Sequence, residues 1–139
     1  MKYKQIQQTY FLRVDPGEDV VTVLLDFAKE EDIQVADITG IGAVNEVTLG
    51  VFDTETKIYH SQDLIGTFEI TSLIGSLTRK NDAPYLHAHM NIAGLDNKTY
   101  GGHLNRAIVS ATAEIVVRTV EGQIGRRFDE EIGLNLFDF

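Results

Sequence analysis

The feature that most constrains this chain is the stretch over residues 86–103, LHAHMNIAGLDNKTYGGH, which begins with a strict apolar–polar alternation and holds three of the four histidines. A period of two fits a strand with one buried face. It sets Leu86, Ala88 and Met90 on one side and His87 and His89 on the other. The roots of those two imidazoles then lie about 6.5 Å apart at ~3.3 Å rise per residue, a gap that two ligands with metal–nitrogen bonds of ~2.0–2.1 Å can close onto one ion. Gly94, Asp96 and Asn97 supply turn chemistry, so the chain is expected to double back, with the pair Gly101 and Gly102 bringing His103 alongside. The candidate metal ligands are therefore His87, His89 and His103, and a divalent ion, zinc first, is the expected cofactor. His60, which ends KIYH, is read as an ordinary solvated strand histidine.

At 139 residues the chain suits one hydrophobic core, so a single domain over 1–139 is expected. It has no cysteine, which excludes disulfides and thiolate chemistry and leaves histidine and carboxylate as metal ligands. The N-terminal MKYKQIQQTYFLRV turns polar at once, and no apolar run approaches the ~18 residues of a membrane span, so the expected location is cytoplasmic, away from membranes. With 21 acidic against 12 basic side chains, the overall field repels phosphate backbones, and direct nucleic-acid binding starts at a disadvantage. The basic pairs Arg79-Lys80 and Arg126-Arg127 are too short to reverse that, although an oligomer gathers several copies of each.

Along the chain, residues 9–14 read as a strand ended by Asp15-Pro16-Gly17. Val20, Val23, Leu24, Phe27 and Ala28 recur at helical spacing and predict one amphipathic helix over about residues 18–31. Residues 35–44 begin as a strand and run through Gly40-Ile41-Gly42, glycines that mark a bulge or a close backbone approach. A phosphate-binding loop is a poor alternative there, because the third glycine is missing and NEVTLGVF continues as a strand. Residues 47–52 and 57–60 predict a hairpin across 53–56, residues 66–77 a long strand, and residues 81–84 a break. The period over 107–113 is mixed and leaves helix and strand open, β-branched residues favour a strand over 115–120, and residues 133–139 read as a closing strand. The sum is an α+β domain, a mainly antiparallel twisted sheet with one main helix on one face.

The series GIGAV (40–44), LGVFD (49–53), GTFEITSLIGSL (66–77), LHAHM (86–90), GGHL (101–104) and AEIVV (113–117) resembles the PPC domain, named for plants and prokaryotes conserved. The motifs occur in the family's order over nearly the whole chain. The resemblance implies a compact α/β fold, assembly as a homotrimer, a metal ion at the HxH and GGH histidines, and a regulatory, DNA-related role. The AT-hook of the plant members, an Arg-Gly-Arg-Pro-type core, has no counterpart here.

Three functions are expected in order. The first is a non-enzymatic oligomeric binding module with a metal or small ligand between subunits. The second is a metal-dependent hydrolase or lyase in which zinc on the histidine trio activates water and Glu69, on the strand over 66–77, accepts a proton or orients a histidine. The blander reading of Glu69 is an exposed strand acid. Third, and disfavoured by charge, is a regulator that contacts DNA directly.

Overall fold

The computed structural model describes residues 1–139 as one helix and eight strands: β1 (Lys2–Ile6), β2 (Thr9–Val14), α1 (Val20–Glu30), β3 (Ala36–Phe52), β4 (Tyr59–Lys80), β5 (Ala83–Ala93), β6 (Thr99–Thr119), β7 (Gly125–Asp129) and β8 (Leu134–Asp138). All pairings are antiparallel except one short parallel contact between β4 and β7. The fold is the expected α+β domain, with the helix a minor part of it.

The sheet follows the order β1-β2-β6-β3-β4-β7-β8, and β5 pairs with both β4 and β6. Strands β3, β4, β5 and β6 therefore form a closed circuit of ladders, where the sequence predicts only a twisted sheet. Closure demands bending, and bulges provide it. In β3 the register slips between Gly40 and Gly42 and again between Val44 and Glu46. A Cβ on Gly42 would stand 2.4 Å from the Thr112 carbonyl oxygen, so β6 closes on β3 there because no side chain intervenes.

The strand boundaries depart from the sequence reading, and the structure fills in what that reading left open. Residues 36–44 and 47–52 belong to one strand, β3, and residues 59–60 and 66–77 to one strand, β4, with 57 and 58 left in the hairpin loop, because bulges bend these strands without ending their ladders. Residues 107–113, left open above, are part of β6. Between the pairs Val44–Val109 and Gly42–Ala113, β6 spends four residue steps against two on β3, and this excursion blurs the strand alternation. The break over 81–84 shrinks to a turn at Asn81 and Asp82, both with positive φ, and Pro84 already lies in β5. Finally, β1 has no signal in its sequence: every residue in it is exposed, and it forms by pairing with the edge strand β2.

Helix α1 is positioned by Asp19. One oxygen of its carboxylate accepts from the backbone N–H of Thr22 (3.1 Å) and caps the helix. The other accepts from the N–H of Ala107 (2.9 Å) on β6, so one side chain ties helix to sheet. Val20, Leu24, Phe27 and Ala28 are fully buried, and they join one core with Ala88, Met90 and Ile92 of β5 and Leu104, Ala107 and Val109 of β6. The helix thus covers the inner face of β5, leaving its odd-numbered residues on the outer face.

Candidate metal centre

On β5, His87, His89 and Asn91 are exposed while Ala88, Met90 and Ile92 are buried, as the alternation predicts. The chain reverses at Gly94 to Lys98: the Gly94 N–H donates to the Lys98 carbonyl (3.0 Å), the Asn97 N–H donates to the Gly94 carbonyl (2.9 Å), and Asn97 takes a left-handed φ of 59°. The returning strand β6 sets His103 directly opposite His89. Directly opposed residues share a face, and so the third imidazole joins the first two.

Ring centroids are 5.3 Å apart for His87 and His89, 5.4 Å for His87 and His103, and 5.7 Å for His89 and His103. Each ring offers a nitrogen within 4.8 Å of the other two. Two nitrogens bound at ~2.0–2.1 Å to one tetrahedral ion stand about 3.4 Å apart, a closing movement within reach of rotation about the histidine side-chain torsions. Burial, then the charge of Arg126 and of the other two histidines, holds the His87 pKa below the ordinary histidine value. Burial and then His89 do the same for His103. Neutral rings are the ligand form, so the donor set fits a borderline divalent ion.

Gly101 and Gly102 prove to be strand residues of β6, not a hinge; the turn itself lies earlier. Their role is close packing. A Cβ on Gly102 would stand 2.7 Å from the Gly50 carbonyl oxygen, and one on Gly101 would stand 2.6 Å from Asn91 Oδ1. Gly50 is also the β3 partner of His103 and lies under Tyr59, whose ring meets the His103 ring edge-on at 6.1 Å. Tyr59 is fixed by donating its hydroxyl to Asn105 Oδ1.

Glu69 is exposed on β4, opposite Ala93 of β5. It shares the outer face with the histidines but stands four residues along β5 from His89, about 13 Å at ~3.3 Å per residue. One chain does not bring it to the trio. His60 is exposed and outside the cluster, as read. Sequence reading missed Arg126 and Ser76: the guanidinium packs over the outer face beside His87, donating from Nη2 to Ser76 Oγ (3.2 Å), and Ser76 is the β4 partner of His87. A lone basic pair in a tail carries no sign of where a closing hairpin will fold.

A β-circuit with one helix and a histidine-lined outer face defines a class of small domain, and comparisons with known proteins place the chain within it. The profile of the Plants and Prokaryotes Conserved (PCC) domain, the PPC domain above, matches residues 1–121, and the chain belongs to that family. Its fold is close to that of a metal-containing protein from Archaeoglobus fulgidus, at 36% identity and a TM-score of 0.90, with all of both chains covered. A PPC protein from Pyrococcus horikoshii aligns at 33% identity and a TM-score of 0.87, over 99% of this chain and 94% of that one. A protein from Bacteroides thetaiotaomicron, named provisionally as DNA-binding, aligns at 34% identity and a TM-score of 0.97, over 99% and 96%. The Bifunctional protein GlmU of a Synechococcus strain is 30% identical over 129 residues, 91% of this chain, and the chain spans only 20% of that protein's length. No helix is long and apolar enough to cross a membrane.

Proposed function

We propose that this protein is a self-associating, metal-holding binding module, a homotrimer whose His87, His89 and His103 keep a divalent ion, zinc first, with a position open to a small ligand. The convergence of three histidine nitrogens within 4.8 Å on one face of the β5–β6 ladder carries the reading. The full-length likeness to the metal-containing archaeal protein supports it. A bound ion would act there as a Lewis acid. Self-association is supported by exposed apolar side chains: Ile74, the β4 partner of His89, is 62% exposed, and Ile41 on β3 and Ile65 further along β4 are exposed as well.

Direct DNA contact, suggested by the name of the Bacteroides relative, is the weaker role here. Five of the six arginines, Arg13, Arg79, Arg106, Arg118 and Arg127, are each paired with a carboxylate, so they do not form a basic footprint on a chain of net charge −9. The enzyme reading, a hydrolase or lyase with Glu69 as proton acceptor, requires Glu69 to arrive from a neighbouring subunit. Elemental analysis of protein purified without a histidine tag or added metal tests the metal reading, with one ion per chain expected and a metal-free protein contradicting it. Light scattering tests the assembly: three times the chain mass of 15.5 kDa is expected, and a concentration-independent monomer would count against it.

A further inference from the structure

We propose that Arg126 and the histidine-bound ion together form a receptor for one small oxyanion, a carboxylate or a phosphate group. The inference rests on the metal reading and names the chemistry of the open position.

Arg126 is only 9% exposed, and it is the one arginine without a carboxylate partner. Its guanidinium lies over the ring of Phe137 at 4.1 Å and beside that of Tyr85 at 5.1 Å. Nε donates to Thr78 Oγ1 (3.1 Å), Nη1 to the Asn135 carbonyl (3.2 Å) and Nη2 to Ser76 Oγ (3.2 Å). All three acceptors are neutral. A guanidinium carries five N–H bonds, so two donors remain uncommitted, and the buried charge is solvated only by dipoles and aromatic faces. Desolvation accordingly holds its pKa below the ordinary arginine value.

Its location gives that cation a use. Ser76 faces His87 and Thr78 faces Tyr85 in the β4–β5 ladder, so the guanidinium stands over the same outer face as the imidazoles, one cross-strand neighbour from His87. The three ligands bring no carboxylate, and a divalent ion on neutral imidazoles keeps its full double charge. An ion held by the histidines and the guanidinium over the same face would together concentrate positive charge on an acidic protein. A carboxylate or phosphate would satisfy both, since the planar guanidinium fork matches such a group and the ion would accept an oxygen donor. Arg126 lies beyond residue 121, where the family profile ends, so this partnership is a feature of the β7–β8 hairpin.

The competing role is a strut, in which Arg126 merely pins that hairpin to β4. Cobalt(II)-loaded protein separates the two. It is titrated with inorganic phosphate and, in a second arm, with acetate, while the cobalt ligand-field absorption and the Nε–Hε resonance of Arg126 are followed. The expected result is that at least one anion changes both signals with one shared dissociation constant, and the tighter arm identifies the group recognised. Arg126→Gln should keep its cobalt and lose about tenfold or more in anion affinity, as loss of a charge-assisted pair predicts, with Arg126→Lys in between. An unmoved Arg126 resonance, or equal affinity in a folded Arg126→Gln protein, overturns the proposal while leaving the metal site standing. The resonance is read on the unaltered protein, so the test survives a variant that does not fold. Failure to take up cobalt at all overturns both readings.

Discussion

His89 on β5 and His103 on β6 are directly opposed partners in an antiparallel ladder, with their rings edge-to-face and centroids 5.7 Å apart. His87, two residues from His89, completes the triangle. A site built on a ladder is held by backbone hydrogen bonds on both sides, which fixes its geometry better than a loop could.

Removal of any one ring should therefore lower metal content without unfolding the chain. His87 and His89 are exposed and His103 is half-buried, so none belongs to the core. His103→Ala is expected to reduce bound metal about tenfold or more, while the metal-free melting temperature stays within a few degrees, as for surface substitutions generally. Elemental analysis beside thermal melts checks this, and unchanged metal content would remove His103 from the site.

Gly102→Ala tests the packing beneath the site. The added methyl would meet the Gly50 carbonyl oxygen at 2.7 Å, and a backbone atom cannot swing aside as a side-chain tip can. Destabilisation of roughly 1–3 kcal/mol, the usual cost of overpacking, should accompany weaker metal binding as His103 shifts. A denaturant midpoint equal to that of the unaltered protein would refute the close approach of β3 and β6.

Acidification should weaken the metal-free protein through the same histidines. His87 and His103 have folded pKa values below the unfolded value near ~6.5, so the native state binds fewer protons than the unfolded chain between those limits. Stability is then unaffected above about pH 6.5, falls as the pH drops through that window, and reaches its full loss below the folded pKa values. Melts at pH 7.5, 6.5 and 5.5 should show this slope, and the double variant H87A/H103A should flatten it. Bound metal should leave over the same range, because protons compete for the same nitrogens.

Asp19→Ala removes a helix cap and a tie to β6 in one step. Loss of a capping side chain costs ~0.5–2 kcal/mol, and the orphaned N–H of Ala107 adds to it, so a value near the upper end is expected in chemical denaturation. A loss below about 0.5 kcal/mol would show that the tie to β6 carries no weight.

Ile74→Glu puts a charge beside His89 on the surface proposed to pair between subunits. Ile74 is 62% exposed in the single chain, so the variant should fold as well as its parent and shift the mass in light scattering towards monomer. An unchanged trimer would move the interface to another face.

How much of this was legible beforehand depended on how local each signal was. The helix was readable because Val20, Leu24, Phe27 and Ala28 form a stripe within a few turns. The histidine strand was readable because alternation places His87 and His89 within three residues of each other, and a turn rich in Gly, Asp and Asn announces the return. The merging of residues 36–52 into β3 was hidden, since a bulge looks like a strand end until the partner strand is seen to continue. Residues 107–113 were ambiguous because the excursion of β6 against β3 makes Ile108, Ala111 and Ile115 look helical.

The sequence alone determined which residues face inward on β5, where α1 lies, and which side chains can ligate a metal, because all of these follow from periodicity and side-chain chemistry over a few residues. Tertiary structure decided the rest. Only the pairing of β5 with both β4 and β6 closes the circuit, opposes His103 to His89 and leaves Glu69 about 13 Å along the strand, and only the packing of the β7–β8 hairpin against β4 carries Arg126 to the face of His87. Contacts of that kind join residues tens of positions apart, and no local pattern records them; they arise when long bent strands find the one register that buries their apolar face.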